Sequence, residues 1–255
     1  MDVVDFKVSA AVAMITLNRP PVNALNAELI ADIGQALEQA ADPEIRAVVI
    51  TGSPHFAAGA DITGFQAAFD GDPDPDLASS LSAVVVRLQS LAKPTIAAIR
   101  GFALGGGLEL AMGADFRYLA EDARVGQPEI LLGIIPGAGG TQRLPRLVGY
   151  QRALEMCMSG RQVDADEAAR IGIADRVAPD DSVLEVALAD AAEFAAGPTV
   201  AYSAVKRALA GGYGGSLDRG LGIEAAEFAR AFGSNDARVG VDAFLSKQKP
   251  QFGGS

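Results

Sequence analysis

The sequence has few of the residues on which several common chemistries depend. It contains one cysteine, Cys157, so no disulfide can form within the chain, and a reducing compartment is the simpler interpretation. It contains one histidine, His55, so a histidine-rich zinc site is excluded. For the same reason a Ser-His-Asp triad would have only one candidate base. The G-x-S-x-G motif that surrounds the nucleophile of α/β-hydrolases is missing. We therefore expect neither a zinc site nor a serine triad.

Positive charge is also scarce, with 21 Lys and Arg residues against 32 Asp and Glu and a net charge of −11. Nucleic-acid backbones and anionic membrane surfaces both bind basic surfaces, so neither is an expected partner. The apolar runs stop well short of the ~18 residues that span a bilayer. The N-terminal MDVVDFKVSA lacks the basic and then apolar pattern of a signal peptide. These features predict a soluble, cytoplasmic protein that binds no membrane.

The composition that remains favours an α/β fold. Hydrophobic residues make up 49% of the chain, which is enough for a sizeable core, and the 29 glycines form short runs between apolar segments. Asn26 is a candidate N-cap for a helix whose apolar residues start at Leu29. Short apolar runs predict strands at 12–17, 46–51, 94–100 and 116–120.

Helical patterns dominate the second half of the chain. They follow a loop predicted at 70–76 (DGDPDPD) and a helix predicted at 77–91. Asp164 with Glu167, and Ser182 with Glu185, have the spacing of capping boxes. Further helices are predicted at 183–196, 199–209, 217–232 and 235–248. We expect one domain, with a core at 1–195 and a helical region at 196–255.

The segment 101–115 (GFALGGGLELAMGAD) places a glycine turn before an apolar helix. A phosphate-binding P-loop is excluded, because Gly107 stands where that motif requires lysine. A glycine turn instead lets a ligand approach the free N–H groups at a helix N-terminus, which stabilise developing negative charge. An oxyanion hole can be built in this way without a charged side chain.

Two glutamates have apolar neighbours in the sequence. Glu109 lies inside the helix that follows the glycine turn, and Glu129 lies in QPEILLG. Burial would favour the protonated form of Glu129 and suit it to act as a general acid. The simpler interpretations are a first-turn glutamate stabilised by the helix dipole and a solvated glutamate after a proline. A pair of acids in different environments is nevertheless how proteins divide acid and base roles.

Taken together, four segments carry a resemblance to a known family. FAAGADI at 56–62, the segment 101–115, QPEILLGIIPGAGGTQRLPRLVG and the tail FGSNDARVGVDAFLSKQKPQF resemble the enoyl-CoA hydratases of the crotonase superfamily, in order along almost the whole chain. The resemblance implies an α/β fold built as a spiral of ββα turns with a helical C-terminal region. It also implies an acyl-CoA substrate, no cofactor or metal, and a hexamer formed as a dimer of trimers.

The resemblance also implies roles for individual residues. The backbone N–H groups of Ala60 and Gly106 would bind the thioester oxygen, Glu109 would position and activate water, and Glu129 would exchange the proton at the α-carbon. Contacts with substrate or CoA would come from Ala58, Asp61, Ile62, Gly137, Phe228 and Lys247, the last two partly from a neighbouring subunit.

One departure from the family pattern and two alternatives remain. Many relatives read R-P-K-A-L-N-A-L near the N-terminus, whereas this chain reads RPPVNAL from Arg19 and lacks that lysine. The alternatives to hydration are an enoyl-CoA isomerase, which typically uses one glutamate, and a non-catalytic acyl-CoA-binding protein. We expect no catalytic role for His55, and a packing role for Cys157.

Overall fold

The computed structural model describes residues 1–63 and 77–255. Its strands form two sheets. The first has the order β1-β2-β3-β4-β6-β9 and comprises β1 (Val4–Ser9), β2 (Val12–Leu17), β3 (Ala47–Gly52), β4 (Thr95–Ile99), β6 (Phe116–Ala120) and β9 (Arg176–Ala178). The second has the order β5-β7-β8 and comprises β5 (Phe102–Leu104), β7 (Arg124–Gly126) and β8 (Gln162–Asp164).

The larger sheet is parallel except at one edge, where β1 pairs with β2 in antiparallel fashion. Every residue of β3 and of β4 is buried. Parallel strands are normally covered by other elements on both faces, which explains why these segments read as continuous apolar runs rather than alternating ones.

The helices are interspersed with the strands along the chain. They are α1 (Ala27–Gln39), α2 (Leu77–Ser90), α3 (Gly106–Ala111), α4 (Gly140–Val148), α5 (Tyr150–Ser159), α6 (Ala165–Ile171), α7 (Val183–Ala195), α8 (Thr199–Gly212), α9 (Leu217–Phe232) and α10 (Asn235–Leu245). A 3₁₀-helix, Pro128–Leu132, lies between β7 and α4. No helix of the described residues is long and apolar enough to cross a membrane.

From β4 to β7 the strands alternate between the two sheets, and this alternation positions the site. The chain passes from β4 into β5 and then α3, and later from β6 into β7 and then the 3₁₀-helix. Ala57, which follows β3, forms a parallel bridge with Ala103 of β5, so the loop after β3 joins the second sheet in the same way. Because these pairings are parallel, the loop after β3, the β5–α3 turn and the turn from β7 into the 3₁₀-helix all lie at the same end of the second sheet.

Most of the predicted elements are present, with small differences at their ends. The strand at 116–120 and the helix at 217–232 have the predicted bounds, and Asn26 caps α1 by accepting a hydrogen bond from Leu29 N–H. Asp164 caps α6 by accepting from Glu167 N–H. The loop predicted at 70–76 lies outside the described residues.

One capping prediction is wrong. Ser182 precedes α7, but its side chain makes no cap hydrogen bond, because its backbone is already helical with φ −111° and ψ −10°. Its hydroxyl donates instead to the carbonyl oxygen of Pro179. The predicted division at 195/196 coincides with the end of α7, and the separate role of the region 196–255 stays a prediction.

Candidate active site

The loop 56–61 presents the first predicted oxyanion donor. Leu25 forms a parallel bridge with Ala60. The N–H of Leu25 donates to Gly59 O at 2.8 Å, and the carbonyl oxygen of Leu25 accepts from Asp61 N–H at 2.8 Å. The N–H of Ala60 itself takes no part in this bridge and donates to no other group among residues 1–63 and 77–255. Because the C=O and N–H of a trans peptide point in opposite directions, holding Gly59 O toward Leu25 turns Ala60 N–H the other way.

The glycine turn before α3 presents the second donor. Gly105 adopts φ +51°, a left-handed conformation that favours glycine, and Gly106 is the first residue of α3. The N–H groups of a helix's first turn have no partner within the helix. The nitrogen of Ala60 lies 3.9 Å from the point that a Cβ on Gly106 would occupy. The two predicted donors are therefore neighbours.

The next glycine makes this approach possible. A Cβ on Gly107 would lie 2.1 Å from the carbonyl oxygen of Ala57. No side chain fits there, since the obstacle is backbone, and α3 can pack this closely on the loop only with glycine at this position.

Glu109 lines the pocket and is buried, with 2% of its surface exposed. Its Oε1 accepts hydrogen bonds from Ala138 N–H at 2.7 Å and Gly140 N–H at 2.6 Å. Burial raises the pKa of the Glu109 carboxyl, and the two N–H donors oppose that rise because they stabilise the charged form. The first-turn glutamate is thus held by a loop about thirty residues further along the chain, and not by the helix end alone.

Glu129 lies in the first turn of the 3₁₀-helix and lines the same pocket as Glu109. Burial raises its pKa to about 7; its own backbone N–H opposes the rise, and the negative charge of Glu109 adds to it. The site therefore contains two carboxyl groups in different environments. Glu109 accepts from two backbone N–H donors, whereas the pKa of Glu129 is raised to about 7.

Two side chains that support these glutamates were missed by the sequence analysis. Gln127 is fully buried, and when its amide nitrogen faces Glu129 it lies 2.9 Å and 3.1 Å from the two carboxylate oxygens. Arg143 donates to the carbonyl oxygen of Ala138 at 3.0 Å. The N–H of the same Ala138 donates to Glu109, so Arg143 helps to hold that donor in place. A polar residue directly before Pro128 was a usable signal for Gln127. No local pattern marks Arg143, because α4 approaches α3 only in the folded chain.

The pocket itself has a volume of about 330 Å³. Apart from the two glutamates, the described residues that line it are apolar or glycine. Those that matter most here are Leu25, Ala60, Leu81, Gly106, Leu131 and Ile134. Such a lining suits an acyl chain. Because it is apolar, it also strengthens electrostatic interactions of the two glutamates.

The structure brings together some of the predicted substrate contacts and separates others. Ala58, Ile62 and Gly137 line the pocket together with the glutamates and both predicted oxyanion donors. The Asp61 side chain turns away and pairs with Arg19 at 2.7 Å.

Phe228 lies on α9, 66% exposed and stacked on Phe232, and Lys247 is exposed beyond the end of α10. Within one chain neither lines the pocket, and their contact with CoA stays a prediction.

The two single residues with reactive side chains lie outside the pocket lining. His55 packs against Phe102 with ring centroids 4.7 Å apart and ring planes tilted by 35°, and its Nδ1 has no hydrogen-bond partner among the described residues. Cys157 is partly buried against the core, as a packing residue would be. Among residues 1–63 and 77–255, no cluster of three His, Cys, Asp or Glu side chains could hold a metal ion.

Comparison with known proteins gives matches over nearly the full length. Residues 7–255 match the family model described as enoyl-CoA hydratase/isomerase. A Bacillus subtilis protein named "Probable enoyl-CoA hydratase" is 41% identical over 257 residues, covering 100% of both chains. The chain belongs to the enoyl-CoA hydratase/isomerase family.

Two further relatives agree with this assignment. A protein of Syntrophomonas wolfei named "Crotonyl-CoA hydratase" is 39% identical over 94% of each chain. The crystal structure of an enoyl-CoA hydratase from Bacillus anthracis is 34% identical, with a TM-score of 0.92 over 99% of this chain and 100% of the other. The fold is that of the crotonase superfamily, as the sequence motifs predicted.

Proposed function

We propose that this chain is an enoyl-CoA hydratase that adds water reversibly to a 2-enoyl-CoA and gives a 3-hydroxyacyl-CoA. One observation carries the proposal: two carboxyl groups in different electrostatic environments face one apolar pocket whose wall includes the neighbouring N–H donors of Ala60 and Gly106. The same chemistry is named for the relatives described above.

The thioester oxygen accepts hydrogen bonds from Ala60 N–H and Gly106 N–H. As water adds to C3, negative charge moves through the conjugated system onto this oxygen, and the two donors stabilise the enolate-like state. Removal of a single oxyanion donor typically costs about 3–4 kcal/mol of activation free energy. These donors are fixed before the substrate arrives, so little reorganisation is needed during the reaction.

Glu109 is the base that orients and deprotonates water, and Glu129 is the acid that delivers a proton to C2. Two backbone donors favour the ionised form of Glu109, whereas burial and the charge of Glu109 favour the protonated form of Glu129. The water oxygen forms the new bond at C3, its proton goes to Glu109, and the proton of Glu129 forms the new C–H bond. Each group is worth about 10²–10⁴-fold in rate.

The presence of both glutamates in one pocket favours hydration over the two alternatives. An isomerase needs to move one proton between carbons of the substrate, for which a single carboxyl suffices. A binding protein would gain nothing from a carboxyl whose pKa is raised to about 7, because burial of that group costs stability. No redox step occurs, so the proposal needs no cofactor beyond the CoA moiety of the substrate.

We further propose that the protein is cytoplasmic and that subunits complete one another's CoA sites in a hexamer. The helical region 196–255 exposes several large apolar side chains, including Phe228, Phe232 and Phe244. Large exposed apolar surfaces commonly mark protein interfaces. This supports an assembly in which Phe228 and Lys247 contact CoA bound to a neighbouring subunit.

The proposal is tested with crotonyl-CoA, whose enoyl thioester absorbance disappears on hydration. We expect turnover by the wild type and a loss of about 10²-fold or more in kcat for Glu109→Gln and for Glu129→Gln. Glu193→Gln is the matched control, because Glu193 is exposed on α7 outside the pocket. Absence of turnover by the wild type would refute the proposal. If Glu109→Gln kept nearly full activity, Glu109 would not be the base.

A further inference from the structure

The orientation of Ala60 N–H depends on a chain of hydrogen bonds that begins at a cation. Arg19 Nη1 donates to Ala24 O at 2.9 Å. The same peptide group carries Leu25 N–H, which donates to Gly59 O at 2.8 Å. That second peptide group in turn carries Ala60 N–H, the proposed oxyanion donor. Two peptide groups therefore connect the guanidinium with the site of the thioester oxygen.

The direction of every bond in this chain is the same. The positive guanidinium polarises the first carbonyl, which makes Leu25 N–H a stronger donor, and this polarises Gly59 C=O and strengthens Ala60 N–H in turn. Hydrogen bonds in series strengthen one another by about 10–30% each in condensed phases. The far end of the series lies in an apolar pocket, where electrostatic effects are larger than in water.

The guanidinium is also held in place by an ion pair with Asp61. Its Nη2 donates to Asp61 Oδ2 at 2.7 Å, and Asp61 Oδ1 accepts from Thr63 Oγ1 at 2.7 Å. Both oxygens of the carboxylate are thus engaged. Asp61 directly follows Ala60, so the ion pair restrains the oxyanion loop on the side opposite to Gly59.

Asn23 fixes the backbone of Arg19 through a side-chain hydrogen bond. It is fully buried with φ +51°, its Oδ1 accepts from Arg19 N–H at 2.7 Å, and its Nδ2 donates to His55 O at 2.7 Å. The segment that carries Arg19 is therefore tied to the start of the oxyanion loop, which favours a fixed position for the guanidinium over a loose surface contact.

We propose that Arg19 is a positioning residue for the oxyanion hole, which aims and polarises Ala60 N–H through the peptide groups 24–25 and 59–60. This inference rests on the proposed function, in which Ala60 N–H binds the thioester oxygen. Arg19 makes no contact with the substrate in this role, and Asp61 acts through the same ion pair.

The test separates the charge of Arg19 from its hydrogen bond. Arg19→Gln keeps an N–H donor but loses the charge, and Arg19→Lys keeps the charge but loses the planar fork. Arg176→Gln is the matched control, since Arg176 forms an ion pair with Asp190 at 2.9 Å on the first sheet, outside the pocket lining. All variants are compared by thermal unfolding before activity is measured.

Three quantities are then measured. The first is kcat for hydration of crotonyl-CoA. The second is the infrared stretching frequency of the thioester carbonyl in bound butyryl-CoA, isotopically labelled at that carbon. Butyryl-CoA has no double bond and cannot be hydrated, so its carbonyl frequency reports the oxyanion hole independently of catalysis. Its dissociation constant is recorded in the same titration.

We expect the carbonyl frequency to fall on binding to the wild type and to fall less on binding to Arg19→Gln. The kcat of that variant should drop about tenfold, since misaligned catalytic groups commonly cost 10- to 100-fold. Arg19→Lys should recover part of both effects, and Arg176→Gln should match the wild type.

A carbonyl shift in Arg19→Gln equal to that of the wild type would overturn the inference. If binding alone weakened, Arg19 would be a CoA contact, and if only the melting temperature fell, its role would be structural. A wild type without any carbonyl shift would instead refute the oxyanion hole of the proposed function.

Discussion

Replacement of Glu129 by glutamine should inactivate the protein and at the same time stabilise it. Glutamine has nearly the same shape as a protonated glutamate but cannot ionise or transfer a proton. In the wild type the pKa of Glu129 is raised to about 7, mainly by burial and further by the charge of Glu109. Above neutral pH the folded protein must therefore hold a negative charge that its surroundings disfavour.

The size of the effect follows from the pKa difference. One pH unit corresponds to about 1.4 kcal/mol, so a rise from 4.5 to about 7 corresponds to about 3 kcal/mol of unfolding free energy. Glu129 is partly exposed, and screening by solvent reduces the expected value to about 2 kcal/mol. Between pH 4.5 and 7 the Glu129 carboxyl binds more protons in the folded protein than in the unfolded chain. Its contribution to stability should therefore fall as pH rises through this window.

The assay is urea unfolding of the wild type and Glu129→Gln at pH 5 and pH 8, with Glu193→Gln as the control. We expect the Glu129 variant to exceed the wild type by about 2 kcal/mol at pH 8 and by much less at pH 5. The control should show no pH-dependent difference. Equal stabilities of wild type and Glu129→Gln at both pH values would mean that the carboxyl is well solvated, and its role as a neutral-pH acid would lose its physical basis.

Four further outcomes are expected. The kcat for hydration should decrease as pH rises above about 7, since Glu129 then loses the proton it delivers; a rate that is flat to pH 9 would contradict this. Gly140→Ala should lower kcat by about 10²-fold, because its Cβ would lie 2.8 Å from Pro136 Cβ and 3.0 Å from Glu109 Oε1, so that the carboxylate must shift; an unchanged kcat would contradict this. Gly107→Ala should prevent folding or abolish activity, because its Cβ would lie 2.1 Å from a backbone oxygen; a soluble, active variant would contradict the packing of α3 on the loop. Truncation before Phe228 should reduce both assembly and CoA affinity, and a fully active monomer in light scattering would contradict the subunit-completed site.

The elements that the sequence predicted best are those whose signals are local. A capping side chain and its N–H partner are three residues apart, so Asn26 could be assigned to α1 from the pattern alone. The strand at 116–120 (FRYLA) is a short run with an acidic residue on either side. Its bounds follow from burial on both faces.

The second sheet could not be predicted in this way. Its strands β5, β7 and β8 have three residues each, which is too short for any periodicity to show. They exist because tertiary pairing supplies their hydrogen bonds. Ser182 shows the opposite error, since a sequence pattern for a cap was present but the preceding turn left its backbone helical.

In the candidate site, too, features with a local sequence signal could be predicted, and those that depend on tertiary contacts could not. Glu109 and Glu129 could be identified from their apolar neighbours together with the family motifs. The backbone donors that set Glu109 apart could not be predicted, because Ala138 and Gly140 approach it from a distant loop. The polarising chain from Arg19 depends on the bridge between Leu25 and Ala60, which no local pattern encodes.

The central claim, that Glu109 and Glu129 direct the addition of water to an enoyl thioester, is tested most directly by isotope labelling. Crotonyl-CoA is incubated with the protein in water enriched in heavy oxygen, and the product is examined by mass spectrometry. We expect 3-hydroxybutyryl-CoA with one heavy oxygen at C3, and loss of this product in the Glu109→Gln and Glu129→Gln variants. An isomeric enoyl-CoA of unchanged mass, separated from crotonyl-CoA by liquid chromatography, would instead indicate an isomerase. Recovery of unchanged crotonyl-CoA alone would indicate a binding protein, and either result would refute hydration.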